Sequence, residues 1–511
     1  MRKQVKKQKK AADCWVIIKK TSTFASMIAD ELKLMITEAF GYQPTSEQRT
    51  AISEFCDFLT DRTPETVMIL RGSAGTGKTT LAGAIVRAML RLRQKIVLLA
   101  PTGRAAKVFS LYAGHAAFTI HRRIYRQRVA GDLIPDQRLL TSSHSAFNLN
   151  DNLSTDTLFI IDEASMIANE GTMDSSFGSG RLLDDLIRYV YNGKNCRMLL
   201  IGDKAQLPPI GEEESPALTG TILSCMGLNV YECDLNTVLR QSQQSGILYN
   251  ATIIRQMITH DDATQLPIIH FQGFADIVAV PGDELIEALA TSYSHVGIDE
   301  TIVVTRSNKR ANIYNLGIRN TVLDREEELS RGDQLMIVKN NYYWVDASKK
   351  NSLSFLANGD RCIVQRVRNV HELYGFRFAE VTFVLPDYDD IELTTTVVLD
   401  TLTAEAPSLT REQQELLYNN IMEDYADIPL KADRIKQLKQ DKYYNALQIK
   451  FAYAVTCHKA QGGQWEHVYI DQGYMTDDML TPEYIHWLYT AFTRATKKLF
   501  LVNWPKSQCE P

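Results

Sequence analysis

The stretch "RGSAGTGKTT" (71–80) constrains this chain more than any other. It sits between an apolar run, "VMIL" (67–70), and "LAGAIVRAML" (81–90). In the latter, Leu81, Ile85 and Met89, with Ala82, Val86 and Leu90, fall on one helical stripe. A buried strand must therefore pass into an amphipathic helix through a loop of small residues. Gly72-Ser73-Ala74-Gly75-Thr76-Gly77-Lys78-Thr79 fits G-x-x-x-x-G-K-[ST] at every fixed position. Glycines let such a loop curl so that successive N–H groups face phosphate oxygens, and the helix behind it adds its positive end. Lys78 is placed to reach the β and γ phosphates, and the Thr79 hydroxyl to ligate Mg²⁺, with Thr80 beside it in the first turn. ATP and Mg²⁺ are the expected ligands.

A bound nucleotide is hydrolysed only if a carboxylate holds the metal and a base orients water. "LFIIDEAS" (158–165) supplies both at the end of a second apolar run. Asp162 is the metal-holding candidate, through the water shell, and Glu163 the base. "GDKAQLPPI" (202–210) follows a further strand, "MLLIGD" (198–203), so Gln206 is expected at the same sheet edge. An amide there can hydrogen-bond both water and γ-phosphate.

Apolar runs alternating with helical periodicity, "IVLLA" (96–100) among them, predict an α/β fold of parallel strands and crossover helices. With 511 residues the chain has room for two to four domains. Its 45% hydrophobic and 23% charged residues are ordinary for a globular protein, and no run is long enough to cross a bilayer. The net charge of −5 neither supports nor excludes a nucleic-acid partner, which depends on local patches. Eight cysteines without CxxC pairing point to a reducing intracellular compartment, and no metal-ligand spacing predicts a structural zinc. The basic start, residues 1–26, reads as a disordered tail.

The first α/β pattern covers 27–121 and 157–235, with a polar insertion at 122–156. A second one, resuming with "YECDLNTVLRQ", covers 236–339 and 450–511. It is interrupted at 340–449 by strand formers and a charged helical stretch. The Ser/Gly-rich "GTMDSSFGSG" (171–180) reads as a mobile loop. In the second half, Arg240 of "LNTVLRQS" and Arg494 of "YTAFTRATKKLF" are candidates to stabilise charge on the transferring phosphoryl group.

Taken in order, "GSAGTGKT", "APTGRAA", "DEAS", "GDKAQLPPI", "LRQ", "TCHKAQGGQW" and "YTAFTRA" resemble the motifs of superfamily 1 helicases. Within that superfamily the chain is similar to the RecD and phage Dda group, whose members move 5′ to 3′ along single-stranded DNA. The resemblance spans roughly residues 43 to 502. It implies two RecA-like P-loop domains with parallel sheets, a wedge hairpin inserted in the first and a small β-barrel in the second. By the same resemblance Gln48 contacts adenine, Gly462 lies near the nucleotide, and Arg240 and Arg494 are the arginine fingers.

A translocating motor holds its strand through backbone amides, hydroxyls and a few cations, with aromatic faces for the bases. The DNA-facing candidates are Thr102, Gly103 and Arg104 at a helix start, Thr119 and His121, and Thr456 and His458. Phe118 or Tyr125 could stack bases. Trp465, Trp487, Tyr342, Tyr343 and Trp344 are either stackers or core. The expected partners are single-stranded DNA and duplex junctions, with replication or repair proteins beside them and no membrane. A monomer is expected, cytoplasmic and nucleoid-associated at work. Two other readings stay open: a related translocase acting on RNA or displacing proteins, and a P-loop ATPase that is not a motor.

Overall fold

A computed structural model describes residues 29–127, 147–171, 177–238, 244–259, 265–345, 355–476 and 479–510. The basic start, Arg240 and most of the first insertion lie outside these residues. By compactness the chain forms two units. The first comprises residues up to Pro101, Val108–Lys204 and Pro208–Leu239; the second comprises Thr102–Lys107, Ala205–Leu207 and Arg240–Pro511.

The first unit is built on six parallel strands: β1 (Thr66–Gly72), β2 (Lys95–Ala100), β3 (Ala117–Thr119), β6 (Thr157–Ile161), β7 (Arg197–Gly202) and β8 (Asn229–Leu235). Their order is β3-β2-β6-β7-β1-β8. Each apolar run read from the sequence is one of the central strands. Val67, Met68, Ile69 and Leu70 of β1 are all buried, as befits a strand covered on both faces. Fully burying each such side chain contributes about 1.5–3 kcal/mol. The helix Lys78–Arg91 buries Leu81, Ala82, Ile85, Val86 and Met89 against this sheet, while Leu90 turns out to solvent. "YECDL" belongs to the edge strand β8, paired along β1 from Thr66↔Asn229 to Gly72↔Leu235. It therefore closes the first pattern, in keeping with the boundary at residue 235, and does not open the second.

In the first insertion, β4 (Tyr125–Gln127) and β5 (Phe147–Leu149) pair antiparallel at the base of the segment. The described part of the Ser/Gly-rich loop is anchored, contrary to the expectation of mobility. Phe177 is buried among His121, Tyr125 and Phe147, and the Gly178 N–H donates to the Phe147 carbonyl. Asp185, also buried, accepts from the Tyr125 hydroxyl at 2.8 Å and from the Ser179 N–H at 2.9 Å.

The second unit carries a five-stranded parallel sheet of β9 (Ile277–Val280), β10 (Thr301–Thr305), β16 (Ala454–Thr456), β17 (Trp465–Asp471) and β18 (Ala495–Val502), ordered β16-β10-β17-β18-β9. Between the neighbours β10 and β16 the chain builds a closed barrel. Its strands are β11 (Gln334–Ile337), β12 (Arg361–Leu373), β13 (Phe376–Leu385), β14 (Ile391–Val398) and β15 (Leu447–Phe451). The barrel thus begins ahead of residue 340 and ends beyond 449. One of its pairs, β14 with β15, is parallel, and a parallel pair needs a crossover. The helices Arg411–Asp424 and Lys431–Leu438 supply it, packing Leu417, Ile421 and Leu438 on Phe376, Phe378 and Val398. Buried Asp333 ties the barrel to the preceding helix end. It takes Arg319 and Arg325 at 3.0 and 2.7 Å and the Tyr453 hydroxyl at 2.8 Å.

Candidate active site

The phosphate loop leaves β1 at Gly72, where a Cβ would stand 2.9 Å from Thr76 Oγ1 and 3.2 Å from Leu235 Cβ. Only glycine fits that approach. Gly77, the residue before the helix Lys78–Arg91, is left-handed at φ 79°, which glycine adopts without cost. Lys78 Nζ donates to the Gly72 carbonyl at 2.8 Å, folding the cation across the loop. Thr76 Oγ1 donates to the Ser73 carbonyl at 2.8 Å. Thr79 and Thr80 follow in the first helical turn.

Gln48 lies beneath this loop, fully enclosed. Its Nε2 donates to the Thr76 carbonyl at 2.9 Å, and its Oε1 accepts from the Thr45 N–H at 2.9 Å in a capping box. The amide expected to read adenine is thus also a brace for the loop. One N–H and one lone pair are left over.

Two strands away in the same sheet, β6 delivers the acidic pair. Glu163 takes a left-handed backbone, φ 53° and ψ 38°, directly after Asp162. Such geometry in a residue with a Cβ costs on the order of 1 kcal/mol and collects at functional sites. Asp162 Oδ2 accepts a hydrogen bond from the hydroxyl of Tyr112, a residue that sequence reasoning did not single out. Burial and the neighbouring carboxylate push the Tyr112 hydroxyl well above its ordinary pKa, so it remains a donor. Among the described residues, no lysine or arginine pairs with Asp162. Nor, among the described residues, does any cluster of three or more His, Cys, Asp or Glu side chains form a ready-made cation cage. One carboxylate and one hydroxyl, with phosphates completing the set, is the kind of sparse protein contribution that suits Mg²⁺.

The other candidates divide between the units. Gln206, in the short segment Ala205–Leu207 of the second unit, is buried with its Oε1 unpartnered. A buried acceptor left open in this way is suited to a water or a ligand donor. Arg494 is buried. Its guanidinium donates to the Thr490 carbonyl at 3.0 Å, the Gly463 carbonyl at 3.2 Å and Thr493 Oγ1 at 3.0 Å. Beside it, Gly462 has φ 70°.

Among the DNA-facing candidates, Thr102 Oγ1 accepts from the Ala105 N–H at the head of the helix Gly103–Ala113. Thr119 caps Ile120–Ile124 by accepting from the Arg122 N–H. His121 packs on Tyr125 and Phe177, and burial drops its pKa to about 4, so the ring is neutral near pH 7. His458 is lowered for the same reason, and Thr456 precedes it at the end of β16. Within the second unit Arg104 Nη2 donates to the Gln464 carbonyl at 2.9 Å, and its guanidinium lies over Trp465. Trp465, Trp487 and Tyr125 are buried and unavailable to bases. Phe118 and Tyr343 are the exposed aromatics of the set, at 38% and 39%.

Known proteins match along the same segments. Residues 43–263 fit the family model of an AAA domain, and residues 451–502 that of a UvrD-like helicase C-terminal domain. An uncharacterized protein of Acanthamoeba polyphaga mimivirus is 24% identical, over 89% of this chain and 98% of its own. The ATP-dependent DNA helicase dda of Enterobacteria phage T4 is 23% identical, over 62% of this chain and 66% of its own. The ATP-dependent RecD2 DNA helicase of Deinococcus radiodurans is 30% identical over 28% of this chain and 16% of its own length. The chain thus spans nearly all of the viral relative but less than two thirds of either helicase.

Proposed function

This chain belongs to the superfamily 1 helicases of the RecD and Dda group, and on that premise we propose that it is an ATP-dependent DNA helicase. It hydrolyses ATP, travels 5′ to 3′ on single-stranded DNA and separates duplex ahead of it. The observation that carries the reading is the shared sheet edge: a phosphate loop after β1 and an acidic pair after β6. Lys78 swings from the Gly72 carbonyl to the triphosphate, and Asp162 with Thr79 holds Mg²⁺. The metal, when bound, offsets phosphate charge. Glu163 orients and deprotonates the attacking water, and Gln206 offers its open oxygen to that water. Gln48 keeps the loop in shape from below and turns its spare N–H and lone pair to adenine. Arg494 and Arg240 neutralise charge developing on the γ-phosphoryl group, a contribution of about 10³- to 10⁵-fold in rate for such arginines.

A motor is favoured over a static ATPase because a second parallel sheet carries its own motif set. "TCHKAQGGQW" follows β16 and runs into β17, and Arg494 stands directly before β18. Thr102, Gly103, Arg104, Thr119, His121, Thr456 and His458 form the strand-side set, with Phe118 and Tyr343 available for stacking. The first insertion, 122–156, is the wedge, and the barrel grips the strand.

Duplexes carrying a 5′ or a 3′ single-stranded tail, in DNA and in RNA, test the reading. ATP-driven unwinding of the 5′-tailed DNA is expected. Unwinding of only the 3′-tailed substrate overturns the direction, preference for RNA overturns the substrate, and hydrolysis without unwinding of any tail favours the non-motor reading.

A further inference from the structure

The two parallel sheets each end one strand in an aspartate, and each aspartate takes a hydrogen bond from a tyrosine on a nearby helix. In the second unit, Asp471 at the end of β17 accepts from the Tyr314 hydroxyl at 2.6 Å. It also accepts from Arg310 Nε at 2.6 Å and the Gly473 N–H at 2.7 Å. A half-exposed guanidinium thus neutralises this buried carboxylate. In the first unit, Asp162 just after β6 has the tyrosine but, among the described residues, no cation. Tyr112 reaches it from the last turn of the helix Gly103–Ala113.

Tyr112 is held from two directions. Its ring packs on Phe109, with centroids 5.1 Å apart. The helix Lys78–Arg91 presses against it at Gly83, where a Cβ would lie 3.0 Å from the Tyr112 carbonyl and 3.7 Å from its ring. The helix that starts with Lys78 and Thr79 thus makes room, through a missing side chain, for the residue that holds Asp162. A phenol donates one proton and leaves the carboxylate its charge. It occupies Oδ2 and directs Oδ1 elsewhere.

We infer that Tyr112 is a positioning residue for the metal carboxylate. It fixes the rotation of Asp162 so that the free oxygen and the uncompensated charge face the metal water shell. This rests on the reading of Asp162 as the Mg²⁺-holding group. Outer partners of metal ligands typically carry 10- to 100-fold in metal affinity or activity.

The test is the Mg²⁺ dependence of nucleotide binding in the full chain. It is read without turnover, as the thermal shift given by a non-hydrolysable ATP analogue across a magnesium titration. Tyr112→Phe removes the hydroxyl and retains the ring, so melting in EDTA stays at the wild-type value. The Mg²⁺ concentration needed for half the shift rises about tenfold. Asp162→Asn raises it at least as far, and the double variant adds little to Asp162→Asn because both act through one carboxylate. Tyr314→Phe leaves the magnesium curve where it was. A wild-type curve for Tyr112→Phe beside a shifted one for Asp162→Asn overturns the inference alone. So does full additivity of the two. An unshifted curve for Asp162→Asn overturns the metal reading beneath it.

Discussion

Two sheets of one architecture carry unequal chemistry at their strand ends. In the first, β1, β2, β3, β6 and β7 are followed in turn by the phosphate loop, Thr102–Arg104, the helix after Thr119, the acidic pair and Gln206. In the second, the corresponding ends are largely satisfied from within: Asp471 is closed by Arg310, Tyr314 and Gly473, and Arg494 is bonded to its own helix and to Gly463. The fold is shared and the proposed fuel site is not, because function resides in particular groups and the bare scaffold is indifferent to them. Among the described residues, Asp471 has a guanidinium and a backbone N–H that Asp162 lacks. Where the guanidinium is present the carboxylate is neutralised from within; where it is missing, among the described residues, the charge stays uncompensated.

The sharpest way to break this contrast is to disarm each sheet in turn. Lys78→Ala should cut DNA-stimulated hydrolysis by at least about 10³-fold while single-strand binding persists, and Arg494→Ala should cut it by about 10³- to 10⁵-fold. Steady-state ATPase assays with and without single-stranded DNA check both. Should Arg494→Ala keep normal stimulated turnover, the second sheet supplies no chemistry and the motor reading falls.

A smaller effect is an acid sensitivity built into the first unit. His121 titrates at about 4 in the fold and near 6.5 in an unfolded chain, so the unfolded state binds more protons between those values. Its neutral burial contributes stability that is complete above pH 6.5 and lost as pH falls towards 4, on the order of 3 kcal/mol at most. His121→Phe should flatten that part of the denaturation profile, measured by urea unfolding from pH 7 to 4. An equally steep loss in the variant would assign the acid sensitivity elsewhere.

The mildest prediction concerns Asp471→Asn, which keeps the shape and removes the charge facing Arg310. Arg310 is 43% exposed on its side chain, so solvent screening reduces the penalty to about 1 kcal/mol or less. Turnover should stay within about threefold of wild type. A collapse of hydrolysis with normal melting would mean that the two aspartates are more alike than their partners suggest.

What was legible in the sequence follows the range of the signal. Residues 72–79 and 162–163 are local patterns tied to short strands, and both sit where those patterns put them. The barrel was visible as a stretch of strand formers, although its first strand, Gln334–Ile337, was too short to separate from the preceding helix. The boundary at residue 235 kept β8 in the first sheet, whereas opening the second pattern at "YECDL" did not: an edge strand of mixed polarity says nothing about which sheet it joins. Trp465, Trp487 and Tyr125 could be read as stackers or core, since an aromatic residue has the same letter in either place. Tyr112 lay inside an ordinary helical periodicity. Its partner is fifty residues away, and no local pattern reports a contact across that distance.

The barrel's position between β10 and β16 has a consequence for biosynthesis. Every strand of the first sheet has been made once the ribosome passes Leu235, whereas β10 must wait for its neighbours β16 and β17, and the second sheet is complete only when β18 ends at Val502. At about 5–20 residues per second, that interval is roughly a quarter of a minute to a minute. Through it, a nascent nucleotide-binding half can already be native while the apolar edges of Val303 and Val304 stay uncovered. A chaperone that shields emerging strands would find its substrate there, and a premature stop anywhere in the barrel would leave one competent lobe tethered to an aggregation-prone one.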